Sequence, residues 1–65
     1  MDRAYTKTRM VGCSIEGIEK AVEAAMAKAG RNASWFEVVE IRGAVRDGKV
    51  AEWQVTLDLG LRTDE

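Results

Sequence analysis

The dipeptide Asp47-Gly48 constrains this chain most, because it stands between two long stretches of strand-forming residues. An Asp-Gly pair accepts the positive φ angles of a tight turn whose twist matches that of paired strands, so it marks a two-residue β-hairpin. Such a turn fixes register. With Arg46 facing Lys49, Phe36 falls opposite Leu59 and Val38 opposite Leu57, an apolar layer for a helix to cover. On the reverse face come Trp35 opposite Gly60, Glu37 opposite Asp58, Val39 opposite Thr56 and Ile41 opposite Gln54. After the turn, Ala51, Trp53, Val55, Leu57, Leu59 and Leu61 alternate with Glu52, Gln54, Thr56, Asp58, Gly60 and Arg62, which predicts a half-buried strand. The strand before the turn, over 34–45, is different. Phe36 and Val38 lie on one face while Trp35, Val39 and Ile41 lie on the other, so both faces carry apolar groups and a second layer, such as another subunit, is expected over the outer one.

The rest of the chain supplies two elements. Tyr5 to Val11 carries β-branched and aromatic residues and is expected to form a strand that Gly12 ends. Ile15, Ile18, Val22, Ala25, Met26 and Ala29 are spaced as one helical face, predicting a helix over 15–29. Ser14 is its expected N-cap, Gly17 a weakening residue within it, and Gly30 a left-handed stop beyond Lys28. Repeats, proline and linkers are absent, so residues 1–65 are taken as a single domain. At 65 residues, burial and chain ordering nearly cancel, and a staple is needed. One cysteine and no histidine leave no intrachain disulfide and no ordinary zinc site, so the remaining staples are other subunits or a bound cofactor.

Charge excludes further classes. Ten Lys and Arg against eleven Asp and Glu give a formal charge of -1, without the basic excess that nucleic acid demands. No apolar run approaches a membrane span and residues 1–14 are too charged for a signal peptide, so a cytoplasmic protein is expected. Without histidine, and with no elbow presenting Ser14, catalysis has little support and no enzyme is expected. Cys13 would sit beside a helix N-terminus, where a thiol pKa can fall, but it is read as a small residue filling the strand-to-helix turn, since reactivity also needs exposure and a partner. Glu16, Glu19 and Glu23 are read as a solvated helix face, with Glu16 and Lys20 at the favourable spacing. Glu37 opposite Asp58 is a like-charge pair that requires nearby cations. Trp35 stands out: a large ring on the face turned from the helix, with glycine as neighbour, suits either a subunit contact or an aromatic ligand.

Taken in order, Tyr5 with Lys7, Val11-Gly12-Cys13-Ser14, Trp35-Phe36-Glu37-Val38, Ile41-Arg42-Gly43, Asp47-Gly48-Lys49-Val50, Trp53-Gln54-Val55-Thr56-Leu57 and Gly60-Leu61-Arg62 resemble the dodecins, over nearly the whole chain. Dodecins are small flavin-binding proteins. The resemblance implies an α+β fold of β-α-β-β order, a three-stranded antiparallel sheet partly wrapping one helix, assembled as a hollow homododecamer. It implies that Trp35 stacks on the flavin ring, with flavin pairs sandwiched between tryptophans of different subunits, and that Gln54 hydrogen-bonds the pyrimidine edge. Arg42 and Arg62 align with family arginines near the flavin or subunit contacts. FMN is the first choice of flavin, with riboflavin or FAD as alternatives. The link over 30–34 is shorter than usual in the family, and Cys13, Trp53 and Leu61 depart from its common residues. In the hairpin register, Trp35 and Gln54 share a face but stand about 20 Å apart along a strand, too far for one flavin ring within one subunit. The expected function is non-enzymatic flavin storage or sequestration, with partners limited to flavin and further copies of the chain. The alternative is a shell-forming protein in which Trp35 anchors a subunit contact and no flavin binds.

Overall fold

The computed structural model describes residues 2–30 and 33–63. Four elements follow one another: β1 (Tyr5–Ser14), α1 (Ile18–Ala29), β2 (Ala33–Arg46) and β3 (Lys49–Arg62). The strands form one antiparallel sheet in the order β1-β3-β2, giving the expected β-α-β-β architecture. Asp47 and Gly48 take φ values of 54° and 76°, the paired positive angles that the hairpin turn requires. β3 is therefore the central strand, hydrogen-bonded on both sides, and its Val55, Leu57 and Leu59 side chains are completely buried on the face that α1 covers. Arg31 and Asn32, in the short 30–34 link, lie outside the described residues.

Of the three bulges between β2 and β3, two correct the simple hairpin register within the hairpin. Arg46 faces Lys49 and Val45 faces Val50, but Ala51 is then an extra residue in β3, so Ala44 faces Glu52 and Arg42 faces Gln54. Val39 is an extra residue in β2 and cancels the offset, so that Val38–Leu57, Glu37–Asp58, Phe36–Leu59 and Trp35–Gly60 return to the pairing that the turn alone predicts. Between the bulges the expectation fails. Ile41 pairs with Val55 rather than Gln54 and so belongs to the helix-side face, while Thr56 faces Glu40, leaving Val39 unpaired. The outer face of β2 is consequently Trp35, Glu37, Glu40 and Arg42, with Trp35 its single large ring.

The helix also starts later than the apolar spacing predicts. β1 does not end at Gly12 but runs to Ser14, whose Oγ accepts the Glu16 N–H at 2.9 Å in a local turn. Gly17, at φ 151°, then takes the N-cap position without any side-chain cap. Ser14 is spent on the bend rather than on the helix, Ile15 is left 80% exposed, and Glu16 stays outside α1, where Lys20 pairs with Glu23 instead. At the other end Gly30 does stop the helix, its N–H reaching the Met26 carbonyl at 3.2 Å, but φ 87° with ψ −163° is not the left-handed helical conformation.

Gly12 has a different task from ending a strand. It is buried where α1 crosses β1, and a Cβ there would collide with the Ala21 carbonyl and touch the Ala25 side chain. The buried stripe of α1 is accordingly Ala21, Val22 and Ala25, small enough to let the helix settle directly on β1 and β3. That seat leaves β2 uncovered. Phe36, Val38 and Ile41 point to the helix side yet remain 47%, 44% and 49% exposed, so the apolar layer expected under the helix is closed only on its β3 half. A groove of about 600 Å³, lined by Ile18, Val22, Met26, Phe36 and Val38 among others, runs between α1 and β2. The accessible surface is 4908 Å², against roughly 4,100 Å² for a compact monomer of this length. The missing layer thus belongs over the helix side of β2 rather than over its outer face. We expect Gly12→Val to lower the midpoint of urea unfolding by an amount equivalent to about 1–3 kcal/mol or more, because overpacking here pushes against helix backbone rather than a flexible side chain.

Candidate functional site

Strand alternation brings the sequence-predicted site residues to one surface, the face of the sheet turned from α1, and places them at its two ends. At one end Trp35 of β2 pairs with Gly60 of β3, and its indole occupies the space that a Cβ on Gly60 would take. The ring lies across the central strand because glycine leaves room for it. Tyr5, on β1 opposite Arg62, meets the indole from the far side with ring centroids 5.8 Å apart and planes at 62°, an edge-to-face contact. Trp35 nonetheless remains 39% exposed, offering a partly open aromatic surface.

The middle of the face is ionic. Asp58 is 5% exposed, and its carboxylate accepts two hydrogen bonds from the Arg9 guanidinium, 2.7 Å from Nε and 3.1 Å from Nη2. Lys7 contacts Glu37 at 2.6 Å and Asp58 at 3.9 Å. The like-charge pair that register predicts between Glu37 and Asp58 is therefore real, and β1 compensates it with two cations. The alternation of Tyr5, Lys7, Arg9, Val11 and Cys13 puts both cations on this face, and the pairing of β1 with β3 brings them to Asp58. Arg9's hydrogen bonds hold the Asp58 carboxyl below the usual carboxylate range, outweighing its partial burial, and the contact with Glu37 raises Lys7.

At the other end Gln54 stands between Cys13 of β1 and Arg42 of β2. Its Nε2 donates to Glu52 Oε1 at 2.9 Å, a bond that uses one of the amide's two N–H donors. Register alone missed the pairing of Arg42 with Gln54, because the bulges at Ala51 and Val39 put it there. Cys13 is a free, exposed thiol in a strand, four residues before the Gly17 N-cap of α1 rather than beside it. Arg62, two residues beyond Gly60, belongs to the Trp35 end. The four expected ligand residues thus form two pairs, Trp35 with Arg62 and Gln54 with Arg42, separated by six residues of β3, about 20 Å. An aromatic platform and an amide flanked by arginine suit a planar heterocycle with polar edges. Among the described residues, no helix is long and apolar enough to cross a membrane and no cluster of acids and cysteine is placed to hold a metal ion.

Comparison with known proteins agrees along the whole chain. The family model described as Dodecin matches residues 4–64. A curated dodecin of Thermus thermophilus is 46% identical over 68 residues, covering 100% of this chain and 99% of its own. The dodecin from Streptomyces davaonensis superposes with a TM-score of 0.92 at 43% identity, each chain covered fully, and that of Streptomyces coelicolor with 0.90 at 43%, covering 98% of this chain and 96% of that one.

The ion network makes a pH prediction whose sign follows from Asp58. A carboxyl with a lowered folded pKa contributes stability above its unfolded value, about 3.9, and loses it as pH falls through the folded value. We expect an NMR titration to find the Asp58 carboxyl ionised below pH 3.9, and Arg9→Met to move its midpoint upward, since the first cause of the shift is then removed.

Proposed function

The chain belongs to the dodecin family, and on that premise we propose that it is a non-enzymatic flavin-binding protein that stores or sequesters flavin and suppresses its photochemistry, as a homododecamer in which flavin pairs stack between tryptophans of different subunits. The observation that carries this reading is Trp35, laid across Gly60 and open to a ligand, on the same face as Gln54 but about 20 Å from it. A flavin supplies a planar, light-absorbing ring system with hydrogen-bonding groups along its pyrimidine edge. Trp35 offers the stacking surface, worth roughly 1–3 kcal/mol per ring in comparable base–aromatic contacts. Gln54, already fixed through Glu52, presents both a donor and an acceptor to that edge, and Arg42 adds positive charge at the same end. Arg62 adds charge beside Trp35 that suits a flavin phosphate, and FMN is the first choice, with riboflavin or FAD as alternatives.

The spacing has a mechanistic consequence. Because Trp35 and Gln54 are too distant to touch one ring, the two ends of the face act in trans, and binding depends on assembly. The uncovered row of Phe36, Val38 and Ile41, beside the α1 groove, supplies apolar surface for the subunit contacts that such an assembly needs.

Flavin titration combined with native mass measurement tests this. We expect the intact protein to quench added FMN on binding, and Trp35→Ala to keep its assembled mass while binding flavin at least tenfold more weakly, which is the loss of about 1.4 kcal/mol. A colourless protein that takes up no flavin, or a Trp35→Ala variant that dissociates, points instead to Trp35 as a subunit anchor. Dissociated subunits are expected to release flavin; a monomer binding as tightly as the assembly would overturn the proposal that the site is shared.

A further inference from the structure

Trp35 is an unusual side chain to find fixed on an open face, since β2 is an edge strand whose outer side carries mostly charged residues. Two neighbours account for it. Gly60 of β3 leaves the space into which the indole lies, and Tyr5 of β1 closes that space from the opposite side of the central strand. Tyr5 is diagonal to Gly60, being paired with Arg62 two residues farther along β3. A Cβ at position 60 would overlap the Trp35 ring itself. The backbone beneath Tyr5 is held as well: beyond the last ladder pair, Thr63 N–H donates to the Ala4 carbonyl at 3.2 Å, so β1 is tied to β3 up to the residue before Tyr5. On the β2 side, Ser34 is an extra residue between the Ala33–Leu61 and Trp35–Gly60 pairs, a local bulge that re-aims the following side chain.

We propose that Tyr5 and Gly60 are the positioning residues of the ligand platform: they hold the Trp35 indole across the central strand before ligand arrives, so that a planar ligand stacks on a ring already fixed. This deepens the flavin reading and rests on it. Stacking on a mobile indole requires the ring to be ordered at the moment of binding, and that ordering weakens affinity; a pre-positioned ring avoids the loss. The contact of the Tyr5 ring is the active element, not its hydroxyl. In the middle of the face the charged ends of Lys7, Arg9, Glu37 and Asp58 are engaged with one another.

The test uses the full chain in its assembled form and two readouts. In a Trp53→Phe background Trp35 is the sole tryptophan, and its fluorescence anisotropy in the flavin-free protein reports how tightly the ring is held. FMN titration reports the platform's use. Tyr5→Ala is expected to lower the anisotropy and to weaken FMN binding by about 2- to 12-fold, the range that an aromatic pair supports, with assembled mass unchanged. Tyr5→Phe restores both. Gly60→Ala, at a position whose backbone tolerates a side chain, displaces the indole and weakens binding by a different route. Full anisotropy and FMN affinity in both Tyr5→Ala and Gly60→Ala would overturn the proposal. Should the unmodified protein bind no FMN, the flavin reading fails, while the anisotropy measurement still decides whether Tyr5 and Gly60 hold the ring. Should Tyr5→Ala not assemble, Gly60→Ala decides both points.

Discussion

The close seat of α1 on Gly12 is the contact on which the other features of this subunit depend. Because Gly12 has no side chain and the facing helix presents Ala21 and Ala25, the helix backbone comes down onto β1 and β3. Val55, Leu57 and Leu59 vanish beneath it, and the same displacement strips cover from β2. A helix held farther out by larger residues could have spread across the sheet; this one cannot. The result is a subunit with a well-closed half and an open half, in which Phe36, Val38 and Ile41 wait for apolar surface from elsewhere. For a chain too short to be comfortably stable alone, that arrangement turns a deficit of core into subunit-binding surface.

The outer face follows a different logic, set by what the central strand places there. β3 alternates between a buried aliphatic row and an outer row in which Asp58 and Gly60 are nearly sealed from water. A carboxylate can be sealed only by cations, and Arg9 and Lys7 arrive from β1 to do so. Gly60 has no side chain of its own to cover it, and the Trp35 ring arrives from β2 to do so. The two arrangements lie side by side, so the ionic cluster separates the aromatic end of the face from the Gln54 end. One subunit therefore carries Trp35 with Arg62 at one end of the face and Gln54 with Arg42 at the other.

Much of this was legible in the residues. The Asp47-Gly48 turn, the pairing of Trp35 with Gly60, the clash of Glu37 with Asp58 and the buried row of β3 all follow from local turn chemistry and an alternation of period two. The bulges did not follow. Nothing in Val39 or Ala51 announces an extra residue, because a bulge is the compromise between two strands that must each keep apolar groups on the helix side. Its effect was to carry Ile41 inward and Arg42 outward to Gln54. The helix start was hidden for a related reason: Ser14 has the chemistry of an N-cap and uses it instead to close a bend, so the apolar spacing of Ile15 was coincidental to the helix.

By itself, then, the order of residues determined the elements, the hairpin, the parity that sends Trp35 and Gln54 to one face, and the insufficiency of a single subunit. These depend on contacts between near neighbours and on the chemistry of glycine, cysteine and charge. Only the tertiary structure decided how far α1 slides toward β1, which cations meet Asp58, and that Tyr5 reaches Trp35 over Gly60. Each of those involves β1, whose neighbour in the sheet, β3, comes last in the chain. Until β3 is inserted between the two outer strands, no local rule relates Tyr5 to Trp35.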